Sequence, residues 1–586
     1  MFKKKTSLLV ALTCFSSVLA LSSCGRGNPT EEDSFDETKT TLGIKYYKGG
    51  LGRDWLDKVC DDFIETFKDY SFEPGKKGIQ IRRGFEKQDV QVDAVTKMKE
   101  TYQLFVMENV DYYNFLSKNT MLDVTDVVTK GALKGISSSN ELDYENDSIE
   151  SKMFVDSRDF YDVGSGANKK FHGIPFYDSA CSINYNIDLF EDRGFYFASG
   201  KTAEDFTDVE LNSYTNVAPL FVSSAEEERS LGPDGKTGII DGVNYSLDDG
   251  LPATYKDFYA LLTYMRNENV TPMAWNGYER GYLISLALNV WNSAIGYQEA
   301  RNSITFSGTS TKILDLDNNF YPKKDKDGNY LYETDLNIDS SNVYKVHQQE
   351  GLLGATQFVK NIMSNKDNYL ADGFKSSFMH TTAQNYFINS DDPTLVEKPI
   401  GMLVEGAWWN SEATSSYNGN DKHVKRFGIM PIPHPNASKI GEPNLTLSER
   451  DSTLFINAEC PENLLPAAKM FLSYVNNERS LNTFTEKTDM VRLLNYEITQ
   501  ETYDKLTPYG QNAYRYFTSP NTKHVDWRPM TNEAYLRGSA LSYRKWGYSI
   551  DASNDNPFNY FYQNENVTAE DYFAKINKYY SLSWKK

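Results

Sequence analysis

Past a polar stretch that ends near residue 41, apolar and polar positions fall into an alternation of strand and helix patterns. Gly43-Ile44-Lys45-Tyr46-Tyr47 alternates as a strand and Gly49, Gly50 and Gly52 mark a turn. Trp55, Leu56, Val59, Cys60, Phe63 and Phe67 then recur at helical spacing. Ile79 to Arg82 and the buried run Tyr102 to Met107 predict further strands, each preceded by helix-compatible sequence. Strands alternating with helices predict a largely parallel, doubly wound α/β sheet. Ligands of such sheets sit at the carboxyl ends of the strands, where the loop Lys48 to Asp54 falls. The pattern lapses between Ser307 and Tyr344, where Asp315, Asp317, Asp325, Asp327 and Asp335 stand among Asn, Gly and Lys. A calcium loop centred on Gly328 fails at two liganding positions, Lys323 and Thr334, which leaves a turn-rich hairpin. Ser223 to Leu251 is a similar insert. Tyr572, Phe573, Ile576, Tyr579 and Tyr580 read as the core stripe of a late helix.

The amino-terminal residues have a different logic. Lys3, Lys4 and Lys5 precede an apolar run, Leu8 to Leu21, that is too short and too early for a membrane span. Residues 1–23 therefore read as a secretory signal peptide. It ends Leu21-Ser22-Ser23-Cys24, which resembles the lipobox of bacterial lipoproteins and makes Cys24 the lipidation site; a plain signal with an incidental cysteine is the alternative. Residues 24–41 hold almost no large apolar side chains, so they form a flexible linker. The chain is then lipid-anchored on the extracytoplasmic face of the bacterial cell membrane. No later stretch reaches the roughly 18 apolar residues of a spanning helix.

Composition narrows the function. With 586 residues, 40% of them hydrophobic, the chain buries a large core divided over at least two domains. Its 81 acidic residues against 61 basic ones repel a phosphate backbone, so no nucleic acid partner is expected. Aromatic residues make up 14%, and the 40 tyrosines exceed what core packing asks for. Cys60, Cys181 and Cys460 lack paired spacing, which specifies neither a disulfide framework nor a metal knuckle. The six histidines are dispersed, and no GxSxG elbow or Walker A loop occurs. No cofactor and no metal are implied. Carboxylate pairs for glycoside hydrolysis leave no sequence signature, so a surface-anchored glycoside-processing enzyme stays open.

Four stretches, in order, resemble the carbohydrate-binding family 1 extracellular solute-binding proteins of ABC importers. The first is Gly173-Ile174-Pro175-Phe176-Tyr177 with Ile183-Asn184-Tyr185-Asn186-Ile187-Asp188-Leu189-Phe190, where Ile187 replaces the usual lysine. The second is Ala253-Thr254-Tyr255-Lys256-Asp257-Phe258, with Tyr255 for the common Trp, followed by Val270-Thr271-Pro272. The third runs from Ile400 through Glu405-Gly406-Ala407-Trp408-Trp409 and leads to Phe427-Gly428-Ile429-Met430-Pro431. The fourth joins Leu454-Phe455-Ile456-Asn457-Ala458 to Pro466-Ala467-Ala468-Lys469-Met470-Phe471-Leu472.

The resemblance implies a two-lobed, periplasmic-binding-protein-like α/β fold, doubly wound sheets joined by a hinge. Residues 42–180 plus about 448–500 would form lobe 1, and 181–447 plus about 501–586 lobe 2. The chain would cross near Asp178 to Ser182 and near Ser448 to Leu454. It also implies a carbohydrate ligand in the cleft, delivery to ABC permease subunits in the membrane, and no enzymatic activity.

A sugar offers apolar C–H faces and a belt of hydroxyls, so its cleft needs aromatic plates and planar polar side chains. By the resemblance Trp408 is the first plate. Trp409 follows it, and one of the adjacent pair belongs to the core because successive side chains diverge. Glu405 either accepts sugar hydroxyls or caps the glycine turn. Tyr177 and Asp178 lie at the first crossing. Trp275, Asn276 and Tyr278 form an aromatic and polar loop after a predicted strand, open to a buried-aromatic reading. Trp55 either edges the cleft with Arg53 and Asp54 or fills the start of its helix. Trp527 and Trp546 are candidates by residue type alone. A peptide-binding or adhesive lipoprotein is the remaining alternative.

Overall fold

The computed structural model describes residues 35–584 apart from 87–89, 109, 111, 165–166, 178–179, 224–227, 340, 418–420, 449–451 and 527–546. The expected signal segment, Cys24 and most of the expected linker lie outside the described residues, as do Asp178, Trp527 and Trp546. The linker expectation ends slightly too late, since Thr40 and Thr41 already belong to the first strand.

Two sheets organise the chain. The first takes β1 (Thr40–Tyr47), β2 (Ile79–Glu86), β3 (Leu104–Met107), β4 (Ile174–Pro175) and, from far along the sequence, β9 (Thr453–Ile456), in the order β2-β1-β3-β9-β4. The second takes β5 (Cys181–Asn186), β6 (Thr271–Trp275), β7 (Ile400–Gly406) and β8 (Phe427–Met430), in the order β6-β7-β5-β8. The strands that open a sheet with their own helices are parallel, β1 to β2 and β3, and β6 to β7. Strands arriving from the other sheet are antiparallel: β9 beside β3 and β4, and β5 beside β7 and β8. The sheets are thus mixed, less parallel than the helix-strand alternation predicts. A strand entering from a crossing is not bound to the right-handed helical return that makes neighbours parallel.

Local rules explain most elements. The helix Asp54–Thr66 buries Trp55, Leu56, Val59, Cys60 and Phe63 on one face and sets Asp54 and Asp57 at its positive end. All seven residues of β7 are buried, as suits a strand between two neighbours with both faces covered. Two of the stretches that carry the family resemblance are helix caps. Thr254 and Asp257 form a reciprocal capping box for the helix Tyr255–Asn267. Asn186 caps the helix Ile187–Arg193, its side chain accepting from the Leu189 N–H at 3.0 Å, and Gly194 closes that helix at φ 66°.

The chain passes from the first sheet to the second between Pro175 and Cys181, and returns to the first at Thr453. Past the helix Glu478–Thr488 it joins the second sheet again. The helix Pro508–Thr518 lies on β8, where the Asn512 side-chain oxygen accepts from Ile429 N–H at 2.8 Å. The helix Ala569–Ser583 buries Tyr572, Phe573, Ile576 and Tyr580, the stripe read from sequence. The Asp-rich insert after Ser307 folds back on itself through short bridges such as Leu314 to Tyr332 and Lys324 to Tyr330.

Candidate functional site

The carboxyl ends of β1 and β7 face each other. β7 ends at Glu405-Gly406, and after Ala407 the chain turns into the short helix Trp409–Glu412. Trp408, at the start of this turn, is half-buried. Its indole lies against Gly406, where a Cβ would collide with the ring, so the glycine is what permits this approach. Two phenols meet the indole edge-on, Tyr282 with centroids 5.7 Å apart and Tyr177 at 6.4 Å. From the first sheet, the glycine loop after β1 closes the other side. A Cβ on Gly50 would stand 2.9 Å from Trp408 Cδ1 and 3.2 Å from Glu412 Cβ. That loop is pinned from below: the Tyr46 hydroxyl donates to the Gly52 carbonyl at 2.5 Å and accepts from Trp55 Nε1 at 3.0 Å.

Polar groups border the aromatic faces. Glu412 receives Gln384 Nε2 at 2.7 Å on one carboxylate oxygen and faces His380 Nε2 at 3.4 Å with the other. His380 and Gln384 stand one turn apart on the helix His380–Ile388. Hydrogen bonding to Glu412 holds the His380 imidazole above its ordinary pKa despite partial burial. Glu405 is fully buried; one oxygen accepts from the Gly406 N–H at 3.2 Å, and the Gln384 side chain lies within hydrogen-bonding reach of the carboxyl. Burial first, and the negative charge of Glu412 second, push its carboxyl well above the usual carboxylate range. Burial likewise raises the Tyr282 phenol, with Glu405, Glu412 and Glu279 adding to it. The arrangement offers an aromatic plate, two phenol edges and a row of acceptors with one histidine donor.

Of the residues named from sequence, Trp408, Glu405 and Tyr177 converge here. Tyr177 is mostly buried and shows the indole its edge. Trp409, Trp55 and Trp275 do not reach the cleft. Each is 0% exposed and packs in a core where van der Waals contact surrounds the whole ring. Trp409 meets Phe387, Phe427 and Tyr509. Trp55 meets Tyr46, Phe176 and Phe484, and Trp275 meets Tyr369, Phe374 and Phe558. Asn276 is also buried, its oxygen accepting from the Glu279 N–H at 2.6 Å, so it shapes the turn that presents Glu279. Tyr278 is 54% exposed on that turn, and Asp54 is exposed at its helix start. Sequence reasoning missed Gly50, Tyr282, Gln384, His380, Glu412 and Glu279. Only Glu412, four residues beyond Trp408 on one helical turn, carried a local signal.

A groove of about 1230 Å³ lies elsewhere, among Lys58, Lys152, Arg479, Glu486 and Lys505. Its charges are already paired, for instance Lys58 with Asp62 at 2.5 Å and Lys505 with Glu501 at 2.9 Å. Among the described residues no helix is long and apolar enough to cross a membrane, and no group of three or more His, Cys, Asp or Glu side chains could hold a metal ion.

No protein-family model matches the chain, and no curated protein sequence does. Solved structures do. The apo form of RafE from Streptococcus pneumoniae is 12% identical with a TM-score of 0.51, covering 94% of this chain and 100% of that one. A chitin oligosaccharide binding protein gives the same figures, 12% identity and TM-score 0.51 over 94% and 100%. The chain therefore has the fold of two-lobed solute-binding proteins, α/β sheets joined by a hinge, as the resemblance implies.

Proposed function

We propose that the chain is the extracytoplasmic substrate-binding component of an ABC importer, which captures a sugar or oligosaccharide and delivers it to membrane permease subunits. The observation that carries this reading is the half-exposed Trp408 indole at the junction of the two sheets. It is flanked by the Tyr177 and Tyr282 edges and the acceptors of Glu412, with the Gly50 loop opposite. An indole face stacks on the apolar face of a pyranose, and carboxylate and imidazole groups take its hydroxyls. The chitin oligosaccharide binder of the same fold supports a carbohydrate ligand. Residues 42–180 with about 448–500 form one lobe in this reading and 181–447 with about 501–586 the other. Cys24 tethers the protein by its lipid.

The buried, pKa-raised Glu405 near Glu412 favours one second reading, a glycoside-processing enzyme with an acid and a base. Against it, Glu405 has no exposed surface. Thermal shift over a panel of mono- and oligosaccharides tests the receptor reading, because a ligand at about 100 times its dissociation constant stabilises by about 2.7 kcal/mol. Saturable stabilisation with no new product by chromatography is expected; product formation would establish the enzyme.

A further inference from the structure

A small cavity of about 70 Å³ lies between the turn that follows β6 and the helix Pro557–Gln563. Asn276, Arg280 and Leu283 line one side of it and Asn556, Asn559 and Gln563 the other. Among the described residues on its walls none is a carboxylate, in a chain whose net charge is −20. Asn276 is 2% exposed, and its side-chain oxygen accepts from the Glu279 N–H at 2.6 Å. That bond fixes which end of the amide is the donor, and the donor nitrogen is buried without a hydrogen bond. Buried donors are almost always satisfied, so this one suits an acceptor brought from outside. Arg280 is exposed, and its guanidinium has no hydrogen bond or ion pair among the described residues. Its backbone is held in place, the Asn556 side chain donating to the Arg280 carbonyl at 3.4 Å. Arg280 is also the residue from which the 15-residue helix Gly281–Ile295 starts; no side chain caps that start, and Leu283 in its first turn lines the cavity.

We propose that this cavity binds a small oxyanion, a carboxylate, sulfate or phosphate group, held by the Arg280 guanidinium, the Asn276 amide nitrogen and the uncapped start of the helix Gly281–Ile295. A guanidinium offers two parallel N–H donors that match two oxygens of such a group. The first N–H groups of a helix add further donors and the positive end of its dipole. A cation would meet only Arg280 and donor groups here, and a neutral hydroxyl would leave the guanidinium without a counter-charge. The same helix carries Tyr282, whose ring meets Trp408 in the cleft, so the cavity and the sugar site share one element. The oxyanion is therefore a free ion or an acidic substituent of the glycan. The site goes beyond the sugar reading and does not rest on it.

The test is calorimetric titration of the full chain and of Arg280→Gln, in chloride buffer of matched ionic strength at pH 7. One arm uses inorganic sulfate and phosphate; the other compares glucuronate and galacturonate with glucose and galactose. The Arg280 side chain is exposed and unpaired among the described residues, so the ligand-free melting temperature of the variant should not move. Saturable binding at one site is expected in at least one arm, weakened at least tenfold in Arg280→Gln. A preference for the acidic sugars over the neutral ones that disappears in the variant supports the site with the anion as part of the glycan; saturable binding of the inorganic ions alone supports it with a free ion. No saturable binding of any of these anions, or equal binding by the wild type and Arg280→Gln, overturns the site. The thermal response to neutral sugars is read separately, so a failed anion site leaves the receptor reading standing.

Discussion

Replacing each tryptophan of the adjacent pair separates a core ring from a cleft ring. Trp409 has no exposed surface and sets its indole edge-to-face with Phe387, Phe427 and Tyr509, centroids 5.6, 5.2 and 5.2 Å away. Three such pairs are worth about 1.5 to 4.5 kcal/mol beyond burial. Truncating a buried Trp to Ala costs about 3 to 5 kcal/mol in all, because the cavity closes only partly. Trp408 is only half-buried, so Trp408→Ala should cost less, about 1 kcal/mol in stability. Urea unfolding followed by far-UV circular dichroism reads the difference without relying on tryptophan emission. With a slope of about 3 kcal/mol per molar, Trp409→Ala should lower the midpoint by about 1 M or more while Trp408→Ala barely moves it. The ligand response should be the reverse, abolished in Trp408→Ala. Equal midpoints for the two variants, or a larger loss for Trp408→Ala, would refute the division between them.

Three further outcomes are expected. Gly50→Val places a side chain where Trp408 and Glu412 already stand, so sugar affinity should fall at least tenfold; unaltered calorimetric binding would refute the facing arrangement. Arg492 is fully buried with no carboxylate partner among the described residues, donating to the Phe176 and Pro175 carbonyls and to Asn476 between the rings of Phe176 and Phe484. Arg492→Met strands those acceptors beside the crossing and should cost about 3 kcal/mol by denaturant unfolding, against no change if they rehydrate. Asp234 and Asp248 share a buried loop, the Asp234 N–H donating to Asp248 at 3.0 Å, and burial raises both carboxyls. The folded state keeps a proton that the unfolded chain releases above about pH 4, so their contribution to stability declines as pH rises through the raised values. Asp248→Asn should flatten the stability profile between pH 4 and neutrality, whereas an unchanged slope contradicts the assignment.

The legible part of the fold was the part written in local pattern. The first strand, glycine turn and amphipathic helix are read directly from Gly43 to Phe67, because burial periodicity and turn chemistry are properties of neighbouring residues. The antiparallel entry of β5 and β9 was not legible, since it depends on which sheet the chain arrives from. At the site, Trp408 was found through a motif, but its surroundings are assembled from four separate stretches: the Gly50 loop, Tyr282, the helix of His380 and Gln384, and Glu412. The two tryptophans whose cleft and core readings stayed open in the sequence show the same limit. Trp55 follows the glycine loop after a strand and Trp275 ends one, where a cleft residue belongs, yet each turns inward to a cluster of rings supplied by distant segments.

The most direct measurement is a crystal structure of the protein grown with its tightest-binding glycan. The account predicts an intact sugar between the glycine loop after β1 and the turn after β7, one ring flat on the Trp408 indole and polar groups at Glu412 and His380. A glycan seated in the outer groove beside Arg479, or Trp408 closed off from it by protein, would contradict it.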